Sequence, residues 1–195
     1  MVIRINNVSF GYKKSESLIT DFSLKLHEGE IIGLSGGNGS GKSTLLKIMA
    51  GFISDYEGKI IISEDVRKNT ACVIDTPAFF KELTVENNLK MVETMNPKGH
   101  EADEELIRIS GLDKYYKIKA SKLSLGNKQK LALVLAVNKQ TKLALLDEPL
   151  NGVDPAGKAA LIKYLKDRKN KGMSAVITGH IPGDLELLCD RIITL

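Results

Sequence analysis

Short apolar runs alternate with segments of helical periodicity along most of the chain. The runs LALL (143–146) and SAVIT (174–178) are apolar without alternation, which is typical of central strands covered on both faces. The pattern predicts strands over 2–5, 22–26, 30–34, 58–62, 71–74, 143–147, 173–178 and 191–195. It predicts helices over 42–50, 83–95, 102–110, 125–139, 156–170 and 183–189. This order predicts an α/β fold with a mostly parallel sheet and helices on its faces.

Two stretches depart from this alternation. VIRINNVSF (2–10) and FSLKL (22–26) alternate apolar and polar residues, which predicts an N-terminal antiparallel β subdomain beside the core. Residues 76–122 contain no convincing strand, two or three helical segments and the turn sequence NPKGH. We interpret this block as a small helical subdomain inserted into one domain of 195 residues, whose core is formed by 1–75 and 123–195.

Composition narrows the classes of partner. The 28 basic and 24 acidic residues give a formal charge of +4, spread along the chain without the clustered basic stripe of a nucleic-acid-binding protein. We therefore expect no nucleic-acid partner.

No apolar run reaches the roughly 18 residues of a membrane span, and MVIRINNVSF (1–10) does not resemble a signal peptide. Any membrane role is therefore expected to depend on a partner. Cys72 and Cys189 lie in apolar segments and are expected to be buried thiols.

The strongest chemical signal is a glycine-rich loop between a predicted strand and a predicted helix. The stretch GGNGSGKS fits G-x-x-x-x-G-K-[ST], and the loop comprises Gly36, Gly37, Asn38, Gly39, Ser40, Gly41, Lys42, Ser43 and Thr44. Glycines let successive backbone N–H groups point at phosphate oxygens, and the helix N-terminus adds partial positive charge. Lys42 would then reach the β- and γ-phosphates, and the Ser43 hydroxyl could ligate Mg²⁺. The fold class is therefore an α/β P-loop NTPase core.

Polar residues follow three further predicted strands. These residues are Asp75, the pair Asp147-Glu148, and His180. They lie at the carboxyl ends of predicted parallel strands, where ligands bind in an open α/β sheet. Asp147 can hold Mg²⁺ opposite Ser43, and Glu148 can polarise a water that attacks the γ-phosphorus. The alternative interpretation is that Asp147 and Glu148 have no catalytic role and are only helix-capping or surface carboxylates. A histidine after a strand is by itself more often a structural group, and only its alignment with the other strand ends favours a role.

A second helix start that suits an anion lies at SKLSLGNKQK (121–130). Ser124 can cap this helix, and Gly126 lies in its first turn. No lysine follows the glycine as it does in a phosphate loop. Taken alone, the segment is interpreted as an ordinary helix start.

Six motifs together resemble the ATP-binding subunits of ABC transporters. FGY (10–12) resembles the loop that stacks on adenine, with Tyr12 as its aromatic platform. DTPAFFKELTVENN resembles the segment that opens the helical subdomain, and LSLGN resembles the family signature. LALLDEPLNGVDP resembles the magnesium and general-base strand with the following loop that contains Asp154, and TGH resembles the switch histidine. With the phosphate loop, these motifs run in the family's order over essentially the whole chain.

The resemblance implies an ATPase that uses ATP and Mg²⁺. Its implied catalytic residues are Lys42, Asp75, Glu148 and His180, and its implied metal ligands are Ser43, Asp75 and Asp147. It also implies a head-to-tail homodimer, or a pseudo-dimer with a similar subunit, in which Ser124, Gly126, Asn127 and Asp154 contact the ATP of the other chain. A separate transmembrane permease would complete the transporter, with this chain on the inner, cytoplasmic face of the cell membrane.

The sequence departs from the family pattern at three places. The family usually has Gln where Asp75 stands, and Leu125 and Asn127 replace two residues of the usual L-S-G-G-Q signature. Many relatives continue with further helices beyond the strand that ends here at Leu195, so a minimal version or a shortened chain is expected. The main alternative is an ABC-type ATPase that acts as a switch without a permease. A small-molecule kinase is disfavoured, because residues 76–122 contain only one arginine, Arg108.

Overall fold

Alternating strands and helices make up most of the chain. The computed structural model describes residues 1–13, 16–75, 79–95, 103–179 and 182–195. Its strands are β1 (Ile3–Phe10), β2 (Ile19–Leu26), β3 (Ile31–Ser35), β4 (Glu57–Ile62), β5 (Thr70–Val73), β6 (Leu143–Leu146), β7 (Ser174–Thr178) and β8 (Arg191–Thr194). Its α-helices are α1 (Lys42–Ala50), α2 (Glu64–Lys68), α3 (Val85–Met95), α4 (Glu104–Ser110), α5 (Leu125–Ala136), α6 (Pro155–Asn170) and α7 (Pro182–Leu188).

The main sheet is parallel, with strand order β5-β6-β7-β3-β8. Its interior strand β6 shows why the apolar runs do not alternate. Ala144 and Leu146 pack into the core cluster on one face, whereas Leu143 and Leu145 pack into the cluster on the other. Both faces are therefore buried, as the run LALL predicts, and the predicted α/β class is confirmed.

A second sheet of three antiparallel strands, in the order β2-β1-β4, covers one face of this core. Ile3 in β1 is paired with Leu26 on one side and with Ile62 on the other. The predicted antiparallel N-terminal strands are confirmed, although β1 continues to Phe10, well beyond the predicted end at residue 5. Helix α2 was not predicted. It has only five residues and is capped by the Ser63 hydroxyl, so it is too short to show a helical period.

The region that was predicted to be helical contains α3, α4 and two short 3₁₀ turns among its described residues. Within those residues, the only β pairing is an isolated bridge between Thr84 and Lys119. The predicted turn NPKGH lies outside the described residues. The division of the chain into a core and an inserted subdomain remains a prediction.

A buried ion pair fixes α4 on α6. Asp103, at the N-cap of α4, lies 3.2 Å from the Arg168 guanidinium, and the two side chains are only 4% and 8% exposed. The same carboxylate oxygen accepts a hydrogen bond from the Tyr164 hydroxyl at 2.9 Å. Arg168 also donates to the backbone carbonyls of Asn138 and Lys139, just before β6. The pair therefore joins three segments that are distant in sequence.

Some local expectations need correction. The thiols of Cys72 and Cys189 are half-buried, where full burial was expected. Helix α5 ends at Ala136, three residues before the predicted end at residue 139, and an extended Val137 closes it. Among the described helices, none has the length and apolar character needed to cross a bilayer.

Candidate functional site

The loop between β3 and α1 has the backbone of a phosphate cradle. Gly36, Gly39 and Gly41 have φ angles of 144°, 78° and 98°, which other residues rarely adopt. A Cβ atom added to Gly37 or Gly39 would meet no atom within 4 Å, so these backbone positions border open space. Gly41 caps α1 without a side-chain hydrogen bond, which leaves the first N–H groups of the helix for a ligand.

Two polar side chains in this loop can form further hydrogen bonds. The Lys42 ammonium donates to the carbonyls of Gly36 and Gly37 at 2.8 and 2.9 Å, and Lys42 is only 6% exposed. An ammonium has three N–H bonds, so one can still donate to a phosphate oxygen. The Ser40 hydroxyl is buried and has no hydrogen-bond partner among the described residues. A bound phosphate would satisfy both groups.

The loop borders a cavity of about 400 Å³, within the range of roughly 300–1,000 Å³ seen for small-molecule sites. Tyr12 lies at its edge, with its ring 5.0 Å from that of Phe10 in an edge-to-face arrangement. The Tyr12 hydroxyl is 3.1 Å from the hydroxyl of Thr44, and the ring remains 65% exposed. The cavity is lined by Tyr12, Leu18, Asn38, Gly39, Ser40, Gly41, Lys42, Ser43, Thr44 and Glu148. The structure thus brings one predicted catalytic carboxylate to the phosphate loop.

Thr178 holds the acidic pair in place. Strands β6 and β7 are neighbours in the parallel sheet, so Asp147-Glu148 and Thr178 lie at the same edge. The Thr178 hydroxyl donates to Asp147 at 2.5 Å and accepts the Glu148 backbone N–H at 3.0 Å. Glu148 has a φ of 48°, and its carboxylate accepts a hydrogen bond from the Asn151 amide at 3.1 Å. Sequence reasoning missed Thr178, whose only signal is its place as the last residue of a predicted strand.

The oxygen ligands at this edge fit Mg²⁺ only together with a phosphate. Ser43 offers a hydroxyl and Asp147 a carboxylate, which are hard oxygen donors of the kind that Mg²⁺ prefers. Within the described residues, no group of three or more His, Cys, Asp or Glu side chains could hold a metal ion. The described residues therefore supply few ligands, as is usual where Mg²⁺ keeps waters and binds nucleotide phosphates.

Asp75 forms an ion pair that the sequence did not predict. Its carboxylate lies 2.6 Å from the Lys47 ammonium on α1. This hydrogen bond with Asp75 is the main reason that the pKa of Lys47 lies above its usual value. Asp75 lies two residues after Val73, the last residue of β5, and has a φ of 56°. Whether Asp75 also contacts a metal or the attacking water remains a prediction.

The start of α5 has the geometry expected of a capped helix. The Ser124 hydroxyl accepts the Asn127 backbone N–H at 3.3 Å, and Leu125 is 62% exposed. Gly126 is buried, and a Cβ atom on it would lie 2.3 Å from the Gly152 carbonyl oxygen. Gly126 is thus needed for close packing against the loop that follows Glu148, a reason that the sequence alone did not show.

Asp154 is engaged within its own chain. It caps α6 by accepting the Gly157 N–H at 2.9 Å, and its other oxygen lies 3.1 Å from the Lys130 ammonium. These two contacts, the Gly157 bond first, lower the pKa of the Asp154 carboxyl. Neither Asp154 nor the α5 residues Ser124, Gly126 and Asn127 line the phosphate-loop cavity. Their contact with a nucleotide stays a prediction, and His180 lies outside the described residues.

The packing of Gly126 leads to a mutational prediction. In Gly126→Ala, the added methyl group must displace either the Gly152 backbone or the start of α5, because both are rigid. Forcing extra atoms into a packed site typically costs about 1–3 kcal/mol. We expect the free energy of unfolding, measured in urea, to fall by that amount, together with the rate of ATP hydrolysis. Gly183→Ala is the matched control, because a Cβ atom there meets nothing within 4 Å. Equal stability of the two variants would contradict the packing argument.

Comparison with known proteins places this site in a family. A family model described as ABC transporter matches residues 19–151. The lantibiotic transport ATP-binding protein SrtF of Streptococcus pyogenes is 32% identical over 197 residues, which cover 98% of this chain and 85% of that protein. YdbJ of Bacillus subtilis, named an ABC transporter ATP-binding protein, is 34% identical over 93% of this chain and 62% of its own length.

Solved structures agree with the sequence relatives. An ATP-binding subunit of an ABC transporter superposes with a TM-score of 0.83 at 26% identity, covering 100% of this chain and 86% of that one. A dimeric ATP-binding cassette with ADP and phosphate also gives 0.83, at 23% identity over 100% and 94%, and shows the likeness of the fold. The chain therefore belongs to the family of ABC transporter ATP-binding subunits, and it is an ATPase. The comparisons give no support to the switch without a permease, and the family rules out the kinase.

Proposed function

We propose that this chain binds and hydrolyses ATP in order to drive transport through a separate transmembrane permease. The observation that carries the proposal is the cavity shared by the phosphate loop and Glu148, because a triphosphate and the base that acts on it must lie together. Family membership supplies the transporter context. The steps below are assigned to the chain's own residues.

Binding of ATP rests on the loop and on Tyr12. The phosphates would lie against the backbone N–H groups of the loop and of the first turn of α1, with Lys42 and Ser40 donating to them. The exposed Tyr12 ring at the cavity edge offers a flat apolar face on which an adenine can stack. Its hydroxyl contact with Thr44 ties that ring to the start of α1.

Hydrolysis rests on Glu148. Its carboxylate can accept a proton from the attacking water, and the Thr178 and Asn151 hydrogen bonds fix its backbone and side chain. Mg²⁺, when bound by Ser43 and Asp147, would neutralise charge on the β- and γ-phosphates. Lys42 would stabilise the charge that develops on the γ-phosphoryl group. We assign His180 to contact the γ-phosphate and Asp75 to the region of the metal and the attacking water, in line with the family pattern.

We further propose that a head-to-tail homodimer, or a pseudo-dimer with a similar subunit, completes each site. Ser124 and Leu125 are exposed at the start of α5 and lie outside the chain's own cavity, so they are free to face another subunit's nucleotide. Ser124, Gly126, Asn127 and Asp154 would act there in trans. The triphosphate would then favour the closed dimer, because the closed state alone offers it the second helix N-terminus. Loss of the γ-phosphate would release the dimer.

The transmembrane partner would bind on the cytoplasmic side. We place this chain at the inner face of the cell membrane, with residues 76–122 transmitting the dimer's motion to the permease. This assignment rests on the family.

The permease can be sought by copurification. The tagged chain, expressed in its own organism, should be recovered from detergent-solubilised membranes with a protein of several transmembrane helices, and that complex should hydrolyse ATP. A tagged Lys42→Ala chain is the control, because it should keep the partner but lose the hydrolysis. Recovery of the active ATPase without any membrane protein would contradict the transport proposal.

A further inference from the structure

The ion pair between Asp75 and Lys47 does not line the phosphate-loop cavity, but it lies at the same end of the sheet, beyond the carboxyl ends of the strands. Asp75 lies two residues after Val73, the last residue of β5, and the Val73 carbonyl accepts the Asp147 backbone N–H, so Asp75 lies at the same end of the sheet as Asp147. Its φ of 56° lies in the left-handed region, which aspartate enters more often than most residues with a side chain. The two side chains are 52% (Asp75) and 28% (Lys47) exposed.

Lys47 stands on the face of α1 that carries Ser43. The two residues are four positions apart, and residues at that spacing lie above one another on one side of a helix. The charge of Asp147 also reaches the Lys47 ammonium, although less strongly than that of Asp75. Lys47 is therefore a cation near two carboxylates and next to the candidate Mg²⁺ ligands.

A carboxylate at this place creates an electrostatic difficulty for an ATP site. Two like charges separated by several ångströms near a protein surface repel each other, and a triphosphate carries several negative charges. The difficulty arises from the charge of Asp75, which lies at the same end of the sheet as the phosphate loop. Lys47 can remove it, because it cancels the charge of Asp75 and holds the carboxylate on the α1 side.

We propose that Lys47 is a positioning residue that neutralises and restrains Asp75, so that an acidic side chain is tolerated beside the bound nucleotide. The inference deepens the function proposed above and rests on it. An ordinary surface ion pair would do something different. It would contribute little to stability and nothing to nucleotide affinity.

The test is the affinity for ATP measured by calorimetry in EDTA, so that metal binding plays no part. Lys47→Gln should weaken binding by about five- to tenfold, because it leaves Asp75 unpaired. Lys47→Gln/Asp75→Gln should return to within about twofold of wild type, because both charges are then gone. Lys47→Arg should also bind as wild type does. The loss in Lys47→Gln should shrink as salt is raised, since the repulsion is screened.

Two results would overturn the inference while leaving the ATP site intact. If the double variant were as weak as Lys47→Gln, Lys47 would be contacting the nucleotide or supporting α1 itself. If Lys47→Gln bound ATP as wild type does, the pair would be a surface contact without a positioning role. Failure of the wild-type chain to bind ATP both in EDTA and with Mg²⁺ would be a different outcome, and it would overturn the nucleotide site together with this inference. Unfolding temperatures of all variants, expected within a few degrees of each other, exclude misfolding as a cause.

Discussion

Glu148→Gln should bind ATP and hydrolyse it about 100- to 10,000-fold more slowly than wild type, the range typical for loss of a general base. The carboxylate lines the same cavity as Lys42 and Ser43, and the substitution removes its basicity while keeping its size. The backbone N–H of Glu148 would still bond to Thr178, so the site should keep its shape. Phosphate release under saturating Mg²⁺ and ATP measures the rate, and calorimetry measures the affinity.

The same variant should accumulate as an ATP-bound dimer, because the nucleotide that closes it is no longer consumed. Size exclusion with ATP should show a shift to twice the mass, and ADP should not produce it. Glu64→Gln is the matched control, since Glu64 is exposed on α2 and, within the described part of the chain, forms its ion pair with Lys68. Persistence of Glu148→Gln as a monomer at saturating ATP would count against the dimer mechanism, whereas unchanged hydrolysis would refute the role of Glu148 itself.

Asp103→Ala should lower the free energy of unfolding by about 3–5 kcal/mol, the usual result of removing one partner from a buried ion pair. The cost arises because Arg168, whose side chain is only 8% exposed, keeps its charge inside the protein without a counter-ion. Tyr164 would lose its hydrogen-bond acceptor at the same time. Urea denaturation measures the change, which for a chain of this length corresponds to a fall of about 10 °C in the melting temperature.

Glu105→Ala provides the control for that variant. Glu105 lies in the first turn of the same helix and is exposed, so its removal should change stability by less than about 0.5 kcal/mol. A fall of less than 1 kcal/mol in Asp103→Ala would show that α4 is held on α6 by apolar contacts alone. Because this site is remote from the phosphate loop, ATP affinity at low temperature should be preserved in the folded variant.

Much of the fold could be predicted because the signals are local. Each predicted strand overlaps an observed one, since a run such as LALL that is buried on both faces differs visibly from an alternating run such as VIRINNVSF. Where the prediction fell short, the local signal was weak. Helix α2 spans only five residues, and the second half of β1 carries Asn6 and Asn7, whose polar side chains conceal its continuation to Phe10.

The residues of the candidate site also fall into two groups: those that the sequence predicts and those that only the structure shows. The phosphate loop and the Asp147-Glu148 pair are short contiguous patterns, so composition and order sufficed to find them. Such patterns could not reveal Thr178, Lys47 or Gly152, because each of them contacts a residue that is distant in the sequence. Thr178 lies 31 residues from Asp147 in sequence but hydrogen-bonds to it across neighbouring strands.

The sequence by itself determined the family, the order of the elements and the residues that suit ATP chemistry, because those features depend on side-chain type and spacing. Only the tertiary structure decided that Glu148 faces the phosphate loop, that Gly126 must lack a side chain, and that Asp75 is paired with Lys47. The physical reason is that short-range periodicity records which face of an element is buried, whereas charge pairs and close backbone approaches depend on which elements are packed side by side.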